Sequence, residues 1–541
     1  MNRPDSVSSD SASDKLQTNT STPLAETPSG PSSFFQKGWF WAVLALAAGV
    51  IVPASLHITY VGFLYFLLTL AEGILLFNIL IIVHELGHFL AAKWCGLRID
   101  KFAIWFGKPI WSKKIDGIDY ILGTIPAGGY VALPQMANPE SVEGKSETPV
   151  EEMPPASPGQ KIVVAFAGPL FSFGLAFFFA CIVFFIGRPV SYQEATTTIG
   201  YAIPGGPASR AGVQSGDVIQ SINGQKITRW IGVGDGVTWN IITSTQVPMT
   251  MEVERNGQPM TFKITPELDP DQPQHWWQRA MPPKIQIAPS QKDLIVEKVL
   301  PYSPAAVAGI EKGDRVTEID GAPLYCDYPI YQSLKTAPDK AITLTIVRGG
   351  ETLTKVVQPE KPISPKDLPK DTPQTQIGLA FDADADMVQV YPTPWNQIAE
   401  SINMVRSTLT ALFTPRSNVG PSQLSGPIGI MNIFVNVLSS ENGWKMALWI
   451  AVIINVNLAI LNLFPLPILD GGHILLSVIE WIRRRPISMV ILEPLQTAFA
   501  LVLMGYMLFI TFYDVQDSGR MVMNSTDDAE IRFAPKPGTH G

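Results

Sequence analysis

Phe77-Asn78-Ile79-Leu80-Ile81-Ile82-Val83-His84-Glu85-Leu86-Gly87-His88-Phe89-Leu90-Ala91-Ala92 sets two imidazoles and a carboxylate inside a continuous apolar run. Residues four apart share one face of a helix, so His84 and His88 can point at one metal ion while Glu85 stands beside it to activate water. The five-residue pattern alone is weak evidence in a soluble chain, and its setting is what gives it weight. The surrounding run, 61–92, exceeds the roughly 20 residues that span a bilayer as helix. A carboxylate at membrane depth costs ~2.5 kcal/mol or more at a helix centre and therefore calls for a metal, a partner or water. Histidines packed and hydrogen-bonded for structure alone are the alternative reading.

Further apolar stretches lie at 39–56, 161–187, 443–466 and 489–513. The first is interrupted by Pro53 and has an interfacial helix as its alternative; the others read as spans. Hydrophobic residues make up 46% of the 541 and charged residues only 16%, which suits membrane spans joined to polar domains. The net charge of −8 is a sum over unlike parts, and no long basic cluster offers a nucleic-acid surface, so nucleic acid is not an expected partner. Cys95, Cys181 and Cys326 form neither a disulfide framework nor a paired thiolate site. Residues 1–38, rich in Ser, Thr, Pro and Asp, read as a disordered tail, with little of the positive charge of a cleavable signal peptide. Residues 516–541 read as a C-terminal tail. Lys93, Arg98 and Lys101 follow the span at 61–92, and Arg483, Arg484 and Arg485 separate the last two. The positive-inside bias puts both loops in the cytoplasm and the stretch 188–442 outside. The Pro- and Glu-rich residues 134–160 then make a cytoplasmic linker.

The external stretch contains a repeat. Pro207-Ala208-Ser209-Arg210-Ala211-Gly212-Val213 leads to Gly216-Asp217-Val218-Ile219 and Ile222-Asn223-Gly224. The same punctuation returns 97 residues later, as Pro304-Ala305-Ala306-Val307-Ala308-Gly309-Ile310, Gly313-Asp314-Arg315-Val316 and Ile319-Asp320-Gly321. Each copy reads as a short helix opened by Pro, a turn at Gly, an alternating strand and a hairpin. The pattern resembles bacterial protease PDZ domains and implies two of them, at 195–268 and 292–360, able to bind peptide segments. The expected fold class is an α-helical polytopic membrane protein of four core spans and one extra N-terminal span (39–57), with two inserted β-rich PDZ-like domains. The membrane core then comprises 61–187 and 441–515. The linker 376–440 holds an amphipathic helix, since Ile398, Ile402, Val405, Leu409 and Leu412 recur at helical spacing. That helix can lie on the lipid surface or pack on the second domain.

A catalytic zinc takes three protein ligands and leaves one position open. Trp94 stands where a further histidine would follow, and no Glu occurs between Glu85 and Glu140, so a distant segment must complete the site. The best candidate is Asn462-Leu463-Phe464-Pro465-Leu466-Pro467-Ile468-Leu469-Asp470-Gly471-Gly472-His473. Two prolines break the helix there, and irregular backbone at membrane depth is tolerated only against protein or a hydrated cavity. The alternative is a proline-kinked span ending at the interface, with Asp470 solvated.

Together the two motifs resemble the site-2 protease family of intramembrane zinc metalloproteases, in its bacterial RseP type with paired PDZ domains. Pro126-Ala127-Gly128-Gly129-Tyr130-Val131 looks like the family's membrane-associated β-loop. Phe166-Ala167-Gly168-Pro169 and Leu424-Ser425-Gly426-Pro427-Ile428-Gly429-Ile430 look like further family signatures. Where the family often has Asn after Gly-Pro, this chain has Ser172. The resemblance implies that His84, His88 and Asp470 bind Zn2+, that Glu85 is the catalytic base, and that Asn462, Gly128 and Gly129 hold substrate. It implies regulated cleavage of single-span membrane proteins, such as anti-sigma factors or signal-peptide remnants, in contact with lipid at a bacterial inner membrane, with the PDZ domains periplasmic. A membrane-anchored PDZ adaptor with a structural or degenerate metal site is the rival, but it has no use for an unligated Glu85. His473 and Glu72 are assigned no role.

Overall fold

The computed structural model describes residues 60–136, 154–268, 278–279, 281–364, 372–382, 387–415, 417–440, 442–485, 487–525 and 531–535. The expected N-terminal tail, the 39–57 segment, most of the 134–160 linker, and His57, His275 and His540 lie outside these residues.

The HExxH run forms one helix, α1 (Tyr60–Trp94). After α1 the chain makes a four-stranded sheet from β1 (Lys101–Phe106), β2 (Trp111–Ile115), β3 (Ile118–Leu122) and β4 (Ile125–Ala132), in the order β2-β3-β1-β4. β1 runs parallel to β3 and antiparallel to β4, which is left as an edge. α2 (Pro158–Ile186) starts at a capping box: the Gln160 N–H donates to Ser157 Oγ, and the Ser157 N–H donates to Gln160 Oε1. The later part of the chain supplies α3 (Pro394–Phe413), α4 (Pro427–Leu438), α5 (Gly443–Asn462), α6 (Asp470–Arg483) and α7 (Met489–Ser525).

Among the described residues, four helical segments are long and apolar enough to cross a membrane: Val61–Trp94, Pro158–Ile186, Gly443–Asn462 and Leu492–Ser518. The chain is a multi-pass membrane protein with β-rich PDZ-like insertions. In lipid the hydrophobic effect does not drive helices together, so close backbone approach through small residues matters more. α2 packs along α5 and α6, with Ala176, Ala180, Ala451 and Ala459 buried at or near the contact. A Cβ on Gly87 would lie 2.4 Å from the carbonyl oxygen of Ala167, so α1 and α2 touch backbone to backbone beside the histidines. Between α5 and α6 the proline-broken residues 463–469 carry irregular backbone, and there Gln496 of α7 donates to the Pro467 carbonyl at 3.2 Å. α4 and α6 are additions to the sequence reading.

Between α2 and α3 lie the two PDZ-like modules. β5 (Arg188–Ser191) leaves α2 and pairs antiparallel with β18 (Met387–Val390), so the chain returns where it departed. The first module comprises β6 (Ile199–Ala202), β7 (Val218–Ile222), β8 (Gln225–Lys226), β9 (Met249–Arg255), β10 (Gln258–Ile264) and β11 (Ile287–Pro289). The second repeats the plan with β12 (Val296–Val299), β13 (Arg315–Ile319), β14 (Ala322–Pro323), β15 (Ile342–Arg348), β16 (Glu351–Val357) and β17 (Leu379–Phe381). Their main sheets have equivalent orders, β10-β9-β7-β8 and β14-β13-β15-β16. Each module also draws in a later strand: β11 pairs β6, and β17 pairs β12. Alternate residues such as Met249, Met251 and Val253, or Ile342, Leu344 and Ile346, are fully buried, each contributing about 1.5–3 kcal/mol. The repeated Gly-Asp is explained by its partners: Arg255 binds Asp217 through Nε (2.6 Å) and Nη2 (2.7 Å), and Arg348 binds Asp314 at the same two distances. Arg229 of the first module pairs with Asp235 at 2.9 Å and with Glu400 of α3, joining the module to the amphipathic helix.

Candidate metal centre

His84 and His88 stand on consecutive turns of α1, and Asp470 is the first residue of α6. Gly471 and Gly472 let α6 start against the 463–469 turn: a Cβ on either would fall within 2.2 Å of the Leu463 or Leu466 carbonyl oxygen. One ligand atom from each of His84, His88 and Asp470 can be chosen so that all lie within 4.8 Å of one another. His84 Nε2 is 3.3 Å from Asp470 Oδ2 and 3.3 Å from His88 Nε2, and His88 Nε2 is 3.4 Å from Asp470 Oδ1.

The orienting hydrogen bonds show which atoms face this point. His88 Nδ1 lies 2.8 Å from the Val164 carbonyl oxygen. A carbonyl only accepts, so Nδ1 carries the proton and Nε2 presents its lone pair inward. His84 Nδ1 lies 2.9 Å from the buried Ser172 Oγ, and Asn462 Nδ2 lies 3.3 Å from His84 Nε2. Electron-rich atoms thus converge, and among the described residues the buried Asp470 Oδ2 has no hydrogen-bond partner, with His84 Nε2 standing 3.3 Å away. A small cation resolves this arrangement, and two imidazoles with one carboxylate form a donor set suited to catalytic zinc. Space for an ion is kept by Gly168: its Cβ would stand 2.2 Å from His88 Nε2 and 2.9 Å from His84 Nε2.

Beside the three ligands is a cavity of about 290 Å³, lined among others by Glu85, Gly129, Tyr130, Asn462 and Leu469. Gly129 backs onto Glu85, since a Cβ there would meet Glu85 Cγ at 3.5 Å. Gly128 is set apart from the cavity lining. Its φ of +98° leaves its Cβ position to the Phe106 ring, 2.4 Å away, and that ring stacks on Tyr130 with centroids 5.9 Å apart. The β-loop is tied to α1 by Trp105 Nε1, which donates to Asn78 Oδ1 at 2.6 Å. The structure therefore brings together His84, Glu85, His88, Asp470, Asn462 and Gly129. It adds Ser172, Gly168 and the Val164 carbonyl, which sequence reading did not place here. His473, one turn beyond Asp470, also lines the cavity; its spacing from Asp470 was the available signal.

The sequence pattern of peptidase family M50 matches residues 72–506. A candidate zinc metalloprotease of Neisseria meningitidis is 29% identical over 463 residues, covering 82% of this chain and 98% of the relative. The regulator of sigma-E protease RseP of Escherichia coli is 30% identical over 448 residues, covering 79% and 93%. A candidate zinc metalloprotease of Vibrio cholerae is 27% identical over 431 residues, covering 76% and 91%. The family match reaches from within the first membrane-length helix to within the last and holds both halves of the site, so the chain belongs to peptidase family M50 and is an intramembrane zinc metalloprotease.

Proposed function

We propose that this enzyme performs regulated cleavage of single-span membrane proteins at a bacterial inner membrane, with His84, His88 and Asp470 holding zinc and Glu85 as general base. The observation that carries the assignment is the convergence of two imidazoles and a partnerless carboxylate oxygen within a bundle of membrane-length helices. Zinc, when bound there, supplies Lewis acidity toward a water and the scissile carbonyl. Glu85 accepts the proton of the attacking water and passes it to the departing amine nitrogen. Asn462 directs its amide N–H toward the oxyanion. A helical substrate must unwind before its carbonyl is accessible. The edge of β4 offers a place to hold it extended, and Gly129 leaves room beside Glu85.

The positive loops at 93–101 and 483–485 support a cytoplasmic side there and a periplasmic position for the modules read at 195–268 and 292–360, to which β11 and β17 add strands beyond those bounds. The name of the Escherichia coli relative supports substrates of the anti-sigma kind, and signal-peptide remnants share the single-span form. The test compares membrane proteomes of cells making the intact protein or Glu85→Gln. Single-span proteins or their membrane stumps should accumulate in the variant; identical proteomes would refute the substrate class.

A further inference from the structure

We propose that residues 531–535 are a tethered ligand of the second PDZ-like module, and that the surface they occupy recognises an extended peptide with an aromatic anchor. α7 ends at Ser525, and a few residues later the chain lies on the module. Arg532 pairs antiparallel with Ser364: the Ile363 N–H donates to the Arg532 carbonyl at 2.8 Å, and the Arg532 N–H donates to the Ser364 carbonyl at 2.9 Å. This continues an edge the module makes itself, where Glu360 and Gln376 exchange both backbone hydrogen bonds. The next residue, Phe533, is only 4% exposed, whereas Arg532, Ala534 and Pro535 beside it are exposed.

Phe533 enters at Gly378, just before β17. A Cβ on Gly378 would stand 3.1 Å from Phe533 Cε2 and 2.2 Å from Ser303 Cβ, so the ring sits against bare backbone at the start of the short helix Pro304–Val307. The contiguous buried cluster running from Leu294 to Ile377 does not include Phe533. The ring comes from beyond the last membrane-length helix, on a segment that pairs through two backbone hydrogen bonds and buries one side chain. Such a contact is separable from the fold and can be displaced. Backbone pairing plus one side-chain pocket is the chemistry of strand-addition peptide recognition, so a partner presenting an extended segment with an aromatic residue would compete for the same place.

A ligand carried on the same chain has an effective concentration on the order of 1 mM, so a site of ~10 μM intrinsic affinity would be filled and would appear ~100-fold weaker to a free peptide. The test uses a fluorescent peptide of residues 526–541 and three full-span proteins: the intact chain, a chain ending at Ser525, and intact Phe533→Ala. All can carry Glu85→Gln, so the outcome does not depend on catalysis. The peptide should bind the shortened chain and Phe533→Ala with similar micromolar affinity and the intact chain at least tenfold more weakly. A peptide with Phe533→Ala should lose binding. Equal affinity for intact and shortened chains, or no binding to either the shortened chain or Phe533→Ala, would overturn the proposal.

Discussion

Ser172 of α2 places its hydroxyl oxygen 2.9 Å from His84 Nδ1, with both side chains buried. This fixes the imidazole of a proposed zinc ligand from behind. Hydrogen-bond partners of this kind are worth about 10–100-fold in metal affinity. Ser172→Ala should lower zinc affinity by roughly that factor in competition with a chelator. Unchanged affinity would mean the hydroxyl does not orient the ligand.

Gly168 and Gly174 lie on the same helix and should respond oppositely to one methyl group. At Gly168 the methyl would sit 2.2 Å from His88 Nε2, whereas among the described residues nothing lies within 4 Å of the position at Gly174. Gly168→Ala should copurify without zinc, and Gly174→Ala should keep its full content. Equal zinc in both would show that Gly168 does not keep the metal position open.

The second module should weaken in acid. Arg348 holds the Asp314 carboxyl below its ordinary range, helped by the Glu311 N–H, which donates to Asp314 Oδ2 at 2.8 Å. A lowered folded-state pKa means stabilisation that is complete above the unfolded value of about 3.9 and is lost as pH falls through the folded value. Amide exchange in β13 and β15 should therefore accelerate as pH is taken from 5 towards 3, after correction for the intrinsic rate. Asp314→Asn should start less stable at pH 5 and show a shallower acid dependence, with the remainder carried by Asp320, whose carboxyl is also held down, by the Thr343 N–H and by Lys340. An undiminished slope would assign the effect elsewhere.

The modules are inserted between α2 and α5, leave and return through the β5–β18 pair, and are joined to α3 by Arg229 and Glu400. Modules inserted there are expected to obstruct a substrate with a bulky external domain. Replacing 195–382 by a flexible linker should speed its cleavage several-fold and change a pre-trimmed substrate little. Slower cleavage of both would mean that the modules recruit substrate rather than restrict it.

His84, Glu85 and His88 were legible because helical spacing and apolar surroundings coincide in one local stretch. Asp470 was legible because it is the carboxylate of an otherwise apolar, proline-broken segment. Ser172 and Gly168 were not, because what matters is the distance between two helices, which no local pattern encodes. α7 outruns its apolar edge because buried Asp514 is satisfied at a distance: its Oδ2 accepts the N–H groups of Gly426 and Gly429, and its Oδ1 accepts Arg279 Nη2 at 2.6 Å. The closing strands β11 and β17 are three residues each and pair with strands 80 or more residues earlier, too short for alternation to show.

Glu85 is proposed to act as the base beside a zinc held by His84, His88 and Asp470. The most direct measurement takes zinc content and cleavage of a single-span substrate on the same preparations. The intact protein should carry about one zinc per chain, and His84→Ala or Asp470→Ala should lose it. Glu85→Gln should keep the zinc and lose cleavage. Near-normal cleavage by Glu85→Gln, or retention of zinc without Asp470, would contradict the account.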